Sequence, residues 1–170
     1  MIGGLTIFEL YIYDKTLIGN TNVYTSGFIV DKQKISLCTI LKSQNKIYDL
    51  YWYLNTRGNC TKYFVMYKNK IIHHSYATNR IFKFPFMMKN DLQIGNCYTD
   101  INYRGKGIYQ FVIKNIVNEY FTSNPNGDVF MLVKNNNTAS ISGVLKAGFK
   151  KISKIETIKL FGLIKIYRKI

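Results

Sequence analysis

The sequence of this 170-residue chain predicts an α/β fold of the mixed α+β kind, a central mixed sheet flanked by helices. Three observations carry that expectation. β-Rich runs open and close the chain. Two segments place apolar residues at helical spacing. A short, continuously apolar run, Val129–Lys134 ("VFMLVK"), has the character of a strand buried on both faces.

Taken in order, Leu5–Tyr13 reads as a strand, and residues Gly19 to Asn22 turn the chain. Gly27–Val30 and Lys34–Ile40 are expected as short strands. From Ser43 to Asn55, Ile47, Leu50, Tyr51 and Leu54 recur at i, i+3, i+4 and i+7, which gives one apolar helix face ahead of Gly58. "KYFVMYKNKIIHHSYA" reads as a hairpin turning at Lys68-Asn69-Lys70. Thr78 to Asp91 is an aromatic, basic segment interrupted by Pro85, expected as a long loop. "LQIGNCYTD" is a strand whose Gly95 signals a bulge or a close backbone approach. A helix follows from about Gly107 to Phe121, with Ile108, Phe111, Val112, Ile116 and Tyr120 on one side. "NPNGD" turns the chain before the buried strand. Thr138 to Ala147 is a short helix with Gly148 as its C-terminal stop, and two β-rich runs around Gly162 complete the chain.

Hydrophobic residues make up 47% of the chain, enough for a packed core. No apolar run is long enough to span a bilayer. The opening residues carry Glu9 and Asp14 and lack the basic start of a signal peptide. Cys38, Cys60 and Cys97 are too few and too far apart for a disulfide framework or a zinc pattern, which suits a reducing cytoplasm. The formal charge of +15 favours anionic partners. Asn, Ile, Tyr, Phe and Lys all have A/T-rich codons, so composition of the genome competes as the source of that charge.

Between the strand ending at Asp100 and the following helix lies Tyr103-Arg-Gly-Lys-Gly-Ile-Tyr109. Helix N-termini present unpaired N–H groups and partial positive charge, and glycines admit an anion close to the backbone. Arg104 and Lys106 add full charges. The spacing is neither a P-loop nor a dinucleotide fingerprint. On these residues alone, a phosphate cradle and a basic helix-capping turn both stand.

The loop, together with the later "NNNTASISGVLKAGF", resembles the GNAT superfamily of acyl-coenzyme A-dependent N-acyltransferases. The family's loop reads Gln/Arg-x-x-Gly-x-Gly/Ala. Arg104 and Gly107 match it, and Tyr109 stands where a small residue is usual. The later pattern is Asn-x-x-Ala/Ser, a Tyr, then Gly-Phe. Asn137, Ser140, Gly148 and Phe149 match, while Val144 occupies the Tyr position. The resemblance covers roughly Lys62 to Phe149. It implies a splayed central sheet in one domain, with residues 1–61 a divergent N-terminal part, 62–149 the cofactor-binding core and 150–170 a C-terminal hairpin.

The same resemblance implies acetyl-CoA, or another acyl-CoA, as co-substrate. Backbone amides of Gly105, Lys106, Gly107, Ile108 and Tyr109, with Arg104, would hold the pyrophosphate. Backbone groups at Cys97 and Thr99 would pair with the pantetheine arm, and Asn137 and Ser140 would meet the cofactor from the far side. A primary amine would attack the thioester directly, its oxyanion held by an N–H near the bulge. Such an amine must be neutral, so a base is expected. His73 and His74 titrate near neutrality. Strand alternation puts His73 with Ser75 on one face and His74 with Tyr76 on the other, and the small neighbour Ser75 favours His73. With Val144 in the Tyr position, Tyr98, Tyr103 and Tyr109 are the alternatives for protonating the thiolate.

The stretch from His73 through Thr99 looks like a branch of the superfamily linked to bacterial surface-polysaccharide synthesis, which implies an amino sugar, often nucleotide-linked, as acceptor. Ser75, Arg80, Lys83 and Phe84 are the expected substrate contacts. Another small amine or peptide, and a non-enzymatic nucleic-acid-binding domain, remain as alternative readings.

Overall fold

The computed structural model describes residues 5–18, 27–43, 46–79, 86–160 and 164–169. The expected turn at Gly19 to Asn22, the break at Gly162, and the substrate candidates Arg80, Lys83 and Phe84 lie outside those residues.

Fourteen elements alternate along the described chain. They begin β1 (Leu5–Tyr13), β2 (Val30–Lys34), α1 (Leu37–Lys42) and α2 (Lys46–Thr56), with a short 3₁₀ turn at Lys15–Leu17 between the first two. Next come β3 (Cys60–Tyr67), β4 (Lys70–Asn79), β5 (Leu92–Thr99), a 3₁₀ turn at Ile101–Tyr103 and α3 (Ile108–Ser123). The last are β6 (Val129–Lys134), α4 (Thr138–Lys146), β7 (Phe149–Leu160) and β8 (Ile164–Lys169).

The strands form one eight-stranded sheet in the order β2-β3-β4-β5-β6-β1-β7-β8. Every neighbouring pair is antiparallel except β5 and β6. That parallel pair is brief. It joins Leu92 to Val129, Gln93 to Phe130 and Ile94 to Met131. β5 runs on to Thr99 and β6 to Lys134 without pairing further. The sheet therefore splays open along one edge of β5, as the fold expectation requires. On the other side of the gap β1 lies between β6 and β7, antiparallel to both.

Two expectations fail in the N-terminal third. The two short strands expected at Gly27–Val30 and Lys34–Ile40 are one strand, Val30–Lys34, which shares a single end residue with each, and the residues after it form α1. Ser36 and Thr39 build a capping box, in which each side chain accepts from the other's backbone N–H. That reciprocal pair outweighs the β-branched composition. The second failure is the facing of α2. Ile47 is 85% exposed and Leu54 64%, while Asp49 and Thr56 on the same helix are buried. Asp49 accepts hydrogen bonds from the Ser43 hydroxyl (2.5 Å) and the Tyr76 hydroxyl (2.8 Å). Trp52 stacks on Tyr76 with centroids 5.8 Å apart. A satisfied buried carboxylate and a stacked indole, not the apolar stripe, choose the inward face.

The C-terminal two thirds follow the pattern. α3 buries Ile108, Val112, Ile113, Ile116, Val117, Tyr120 and Phe121 against Val65, Ile94, Val129 and Met131 of the sheet. Val144 of α4 belongs to the same core. Lys68 and Asn69 take left-handed φ values of 48° and 61°, which closes the β3–β4 hairpin in two residues. Among the described residues no helix is long and apolar enough to cross a membrane.

Candidate functional site

The site begins where β5 loses its partner. Pairing of β4 to β5 shifts register between His74 and Tyr76, and Asn96 has φ +47°. This is the bulge that Gly95 announced, one residue further on. It turns the free edge of β5, from Gly95 to Thr99, outward.

The loop after β5 is pinned on both sides. Asp100 Oδ1 accepts from the Asn102 N–H (3.0 Å), and its Oδ2 accepts from Lys70 Nζ (2.6 Å). Arg104 Nε donates to the Thr99 carbonyl (3.0 Å). The Lys106 ammonium lies over the Tyr103 ring at 4.9 Å. Gly105 and Gly107 have φ values of +76° and +75°, which only glycine adopts without strain. Gly107 caps α3 and offers no side chain. The first amide to enter the helical ladder is that of Phe111, bonded to the Gly107 carbonyl at 3.0 Å. The amides of Ile108, Tyr109 and Gln110 precede it and point out of the helix start.

Across the gap, Asn137 caps α4, its Oδ1 accepting from the Ser140 N–H at 3.1 Å. Its side chain thus fixes the helix start. Between the β5 edge, the loop and the first turns of α3 and α4 lies a cavity of about 560 Å³. All ten residues expected to meet the cofactor line it except Lys106, and Tyr98 joins them. Tyr103, Gln110, Ser142, Gly143 and Lys146 also face it. Gly143 was missed from the sequence; a glycine inside a helix was its only signal.

The two histidines lie on opposite faces of β4, as alternation requires. His73 is fully buried. Its Nδ1 is 2.8 Å from Thr99 Oγ1 and its Nε2 is 2.9 Å from Ser75 Oγ. Burial, then the neighbouring His74, pull its pKa down to about 3, so the ring is neutral and fully engaged. It meets the cavity wall from behind, at Thr99 and at the edge of the Tyr109 ring, while Ser75, an expected substrate contact, is fully buried and does not line the cavity. His74 is half-buried on the α2 side. It stacks on Tyr98 (5.7 Å) and meets Tyr76 edge-on (5.6 Å). Burial first, then the Lys62 charge, hold it down to about 4, against the pull of Asp49. Burial pushes the Cys97 thiol up to about 12, opposed by a hydrogen bond with Ser75. That thiol stays protonated, which disfavours it as a nucleophile. Among the described residues no group of His, Cys, Asp and Glu could hold a metal ion.

No family model and no curated protein matches the chain. Solved structures do. A GNAT-family acetyltransferase from Colwellia psychrerythraea superposes with a TM-score of 0.59 at 15% identity, over 92% of this chain and 56% of that one. An aminoglycoside N-acetyltransferase, AAC(6')-Iy, solved with coenzyme A, gives 0.53 at 13% identity over 72% and 91% of the two chains. A glucosamine N-acetyltransferase region of a fungal multi-domain β-N-acetylglucosaminidase gives 0.60 at 8% identity, over 92% of this chain and 21% of that one. The chain has the GNAT fold, and it spans just over half the length of the Colwellia protein.

Proposed function

We propose that the protein is an acyl-CoA-dependent N-acyltransferase, using acetyl-CoA as donor and a primary amine as acceptor. The observation that carries this reading is the conjunction of an open β5 edge with an uncapped helix start at its end. The pyrophosphate would sit on the amides of Gly107, Ile108 and Tyr109, with Arg104 beside it. The pantetheine arm would extend the sheet along Gly95–Thr99, replacing the strand pairing that stops at Ile94. Residues 62–149 would supply the cofactor half of the site, with residues 1–61 a divergent N-terminal part and residues 150–170 a C-terminal hairpin.

In the reaction the bound thioester supplies the activated acyl group. An N–H at the β5 bulge would donate to the oxyanion. His74 and Tyr98 stand together on the α2 side, where an acceptor would approach. A histidine held near 4 does not store a proton at neutral pH. It would orient the neutral amine and relay the proton that the amine loses on attack to solvent, while the coenzyme A thiolate released by C–S cleavage would take a proton from the Tyr98 hydroxyl or from solvent. His73 fixes Thr99 and Ser75 beneath the cavity.

For the acceptor we favour an amino sugar, free or nucleotide-linked. Support comes from the half-exposed ring of Tyr98, backed by His74, which offers a stacking surface, and from two GNAT-fold neighbours that are by name a glucosamine N-acetyltransferase region and an aminoglycoside N-acetyltransferase. Three free thiols favour a reducing, cytoplasmic setting.

The test is calorimetric titration with coenzyme A and acetyl-CoA. Binding that shifts the melting transition, by about 2.7 kcal/mol at a hundred times Kd, supports the reading. Gly107→Val, which strains a left-handed residue and covers the amides, should remove at least a hundredfold in affinity. Absence of binding, together with salt-sensitive binding to an oligonucleotide, would favour a nucleic-acid module.

A further inference from the structure

Lys146, in the last turn of α4, faces the cavity. Along that helix the lining is Ala139, Ser140, Gly143 and Lys146, positions i, i+1, i+4 and i+7, which share one helix face. Gly143 fixes how near that face comes to α3. A Cβ there would lie 2.6 Å from two carbons of the Tyr109 ring, so the backbone of α4 packs against the first turn of α3. Lys146 follows three residues later on the same face, about 5 Å further along the axis. Its flexible four-carbon stem therefore starts beside the helix end that carries the free amides of Ile108, Tyr109 and Gln110.

Charge singles out the same residue. Among the described residues no carboxylate lines the cavity, and the charged side chains that do are Arg104 and Lys146. Arg104 is held on the β5 side. Its Nε donates to the Thr99 carbonyl, and its guanidinium lies 5.9 Å from the centre of the Tyr98 ring. Lys146 is exposed and belongs to none of the ion pairs among the described residues. One cation thus stands on the β5 side of the α3 amides and the other on the α4 side. Coenzyme A carries its phosphates in two groups, the pyrophosphate and the ribose 3′-phosphate. With the thioester arm running along β5 toward Gly95, the nucleotide leaves the amides on the α4 side. The ribose is joined to the pyrophosphate at its 5′ oxygen, so the 3′-phosphate lies only one sugar ring away.

We infer that Lys146 is a specificity-determining residue that pairs with the ribose 3′-phosphate, so that the donor is an intact coenzyme A thioester and not a 3′-dephospho form or a phosphopantetheine arm carried on a protein. The inference rests on the acyl-CoA reading. A phosphate monoester is close to doubly charged at neutral pH, and an ammonium meets it as a point charge. The pair is exposed and screened by salt, so the preference shrinks as ionic strength rises.

The experiment measures Kd by calorimetry for coenzyme A, 3′-dephospho-coenzyme A and 4′-phosphopantetheine, with wild type, Lys146→Ala, Lys146→Gln, Lys146→Arg and Lys114→Ala. In low salt wild type should bind coenzyme A about tenfold more tightly than the dephospho form, and high salt should reduce that ratio. Lys146→Ala and Lys146→Gln should bring the ratio below about threefold by weakening coenzyme A alone, with the dephospho form held within about twofold. Lys146→Arg, which keeps the charge, should keep the preference. So should Lys114→Ala, which removes a cation one turn beyond Gln110 on α3 that does not line the cavity. Equal wild-type affinity for the two forms overturns the inference. So does a preference that survives both uncharged variants, or one lost in Lys114→Ala instead. Equal weakening of both forms by Lys146→Ala also overturns it, because that marks a structural role at the end of the α4 dipole. Tighter binding of phosphopantetheine than of coenzyme A does the same. Should the uncharged variants not fold, the wild-type ratio and its salt dependence decide alone. All these outcomes leave the acyl-CoA reading standing. Failure of wild type to bind any of the three ligands would overturn that reading and this inference with it.

Discussion

Helices α2 and α3 carry similar sequence patterns and use them oppositely. In α3 the apolar stripe is the buried one, and Ile113, Ile116 and Val117 are completely enclosed. In α2 the stripe of Ile47, Leu50, Tyr51 and Leu54 is exposed, and the inward face is built from Asp49, Trp52 and Thr56 with Tyr48 and Tyr53. The difference teaches that periodicity establishes a helix, and the partners available to its polar residues choose which side goes in. Asp49 finds one hydroxyl donor across the interface, Tyr76, and a second in Ser43 at the end of α1. A carboxylate so placed is costly to expose, because the Tyr76 hydroxyl would then be buried without an acceptor.

Substitutions can break or sharpen this contrast. Ile116→Ala on α3 should cost about 3–4 kcal/mol in denaturant unfolding, the usual range for a truncated, fully enclosed side chain. Asp49→Ala on α2 should cost about 2–3 kcal/mol by orphaning the Tyr76 hydroxyl, and Asp49→Asn, which keeps an acceptor, about half that. If Asp49→Ala proves neutral, the account of the inward face fails. The histidines give the next effect. Both pKa values are lowered on folding, to about 3 for His73 and about 4 for His74, from 6.5. Below pH 6.5 the unfolded chain binds protons that the folded one refuses, so stability falls with pH by up to about 1.4 kcal/mol per unit for each histidine. The depressed carboxylates Glu9 and Asp100 lose their contribution only as pH falls toward and below their ordinary values of 4.5 and 3.8, so a melt between pH 6.5 and 5.5 isolates the pair. His73→Gln and His74→Gln should each flatten that slope. Smallest of all, Ile47→Ala and Leu54→Lys should change stability by no more than about 0.5 kcal/mol. A loss above 2 kcal/mol at either would mean the α2 stripe is covered after all.

What the sequence disclosed follows the same division. The glycine loop, the bulge near Gly95, the Lys68–Asn69 turn and α3 were legible because each depends on local backbone chemistry: left-handed φ, a missing Cβ, a 3.6-residue period. α1 was hidden because its capping box uses Thr39, not the Glu or Gln that advertises such boxes. The facing of α2 was hidden because Tyr76 lies 27 positions from Asp49, and no window reports a partner at that distance. For the same reason the sequence could name both histidines and their opposite faces but could not tell that Thr99 and Ser75 immobilise one of them.

The placement of β1 has a consequence for the cavity. The crossover from β6 through α4 to β7 leaves a gap one strand wide, and Leu5–Tyr13 fills it. Asp14, at the end of that strand, bonds by its N–H to the Gly148 carbonyl just beyond α4. The far wall of the cavity is thus moored by residues more than a hundred positions earlier in the chain. An alteration that pulls β1 out of line should loosen the seat of α4, and with it one wall of the cavity, before it disturbs the glycine loop.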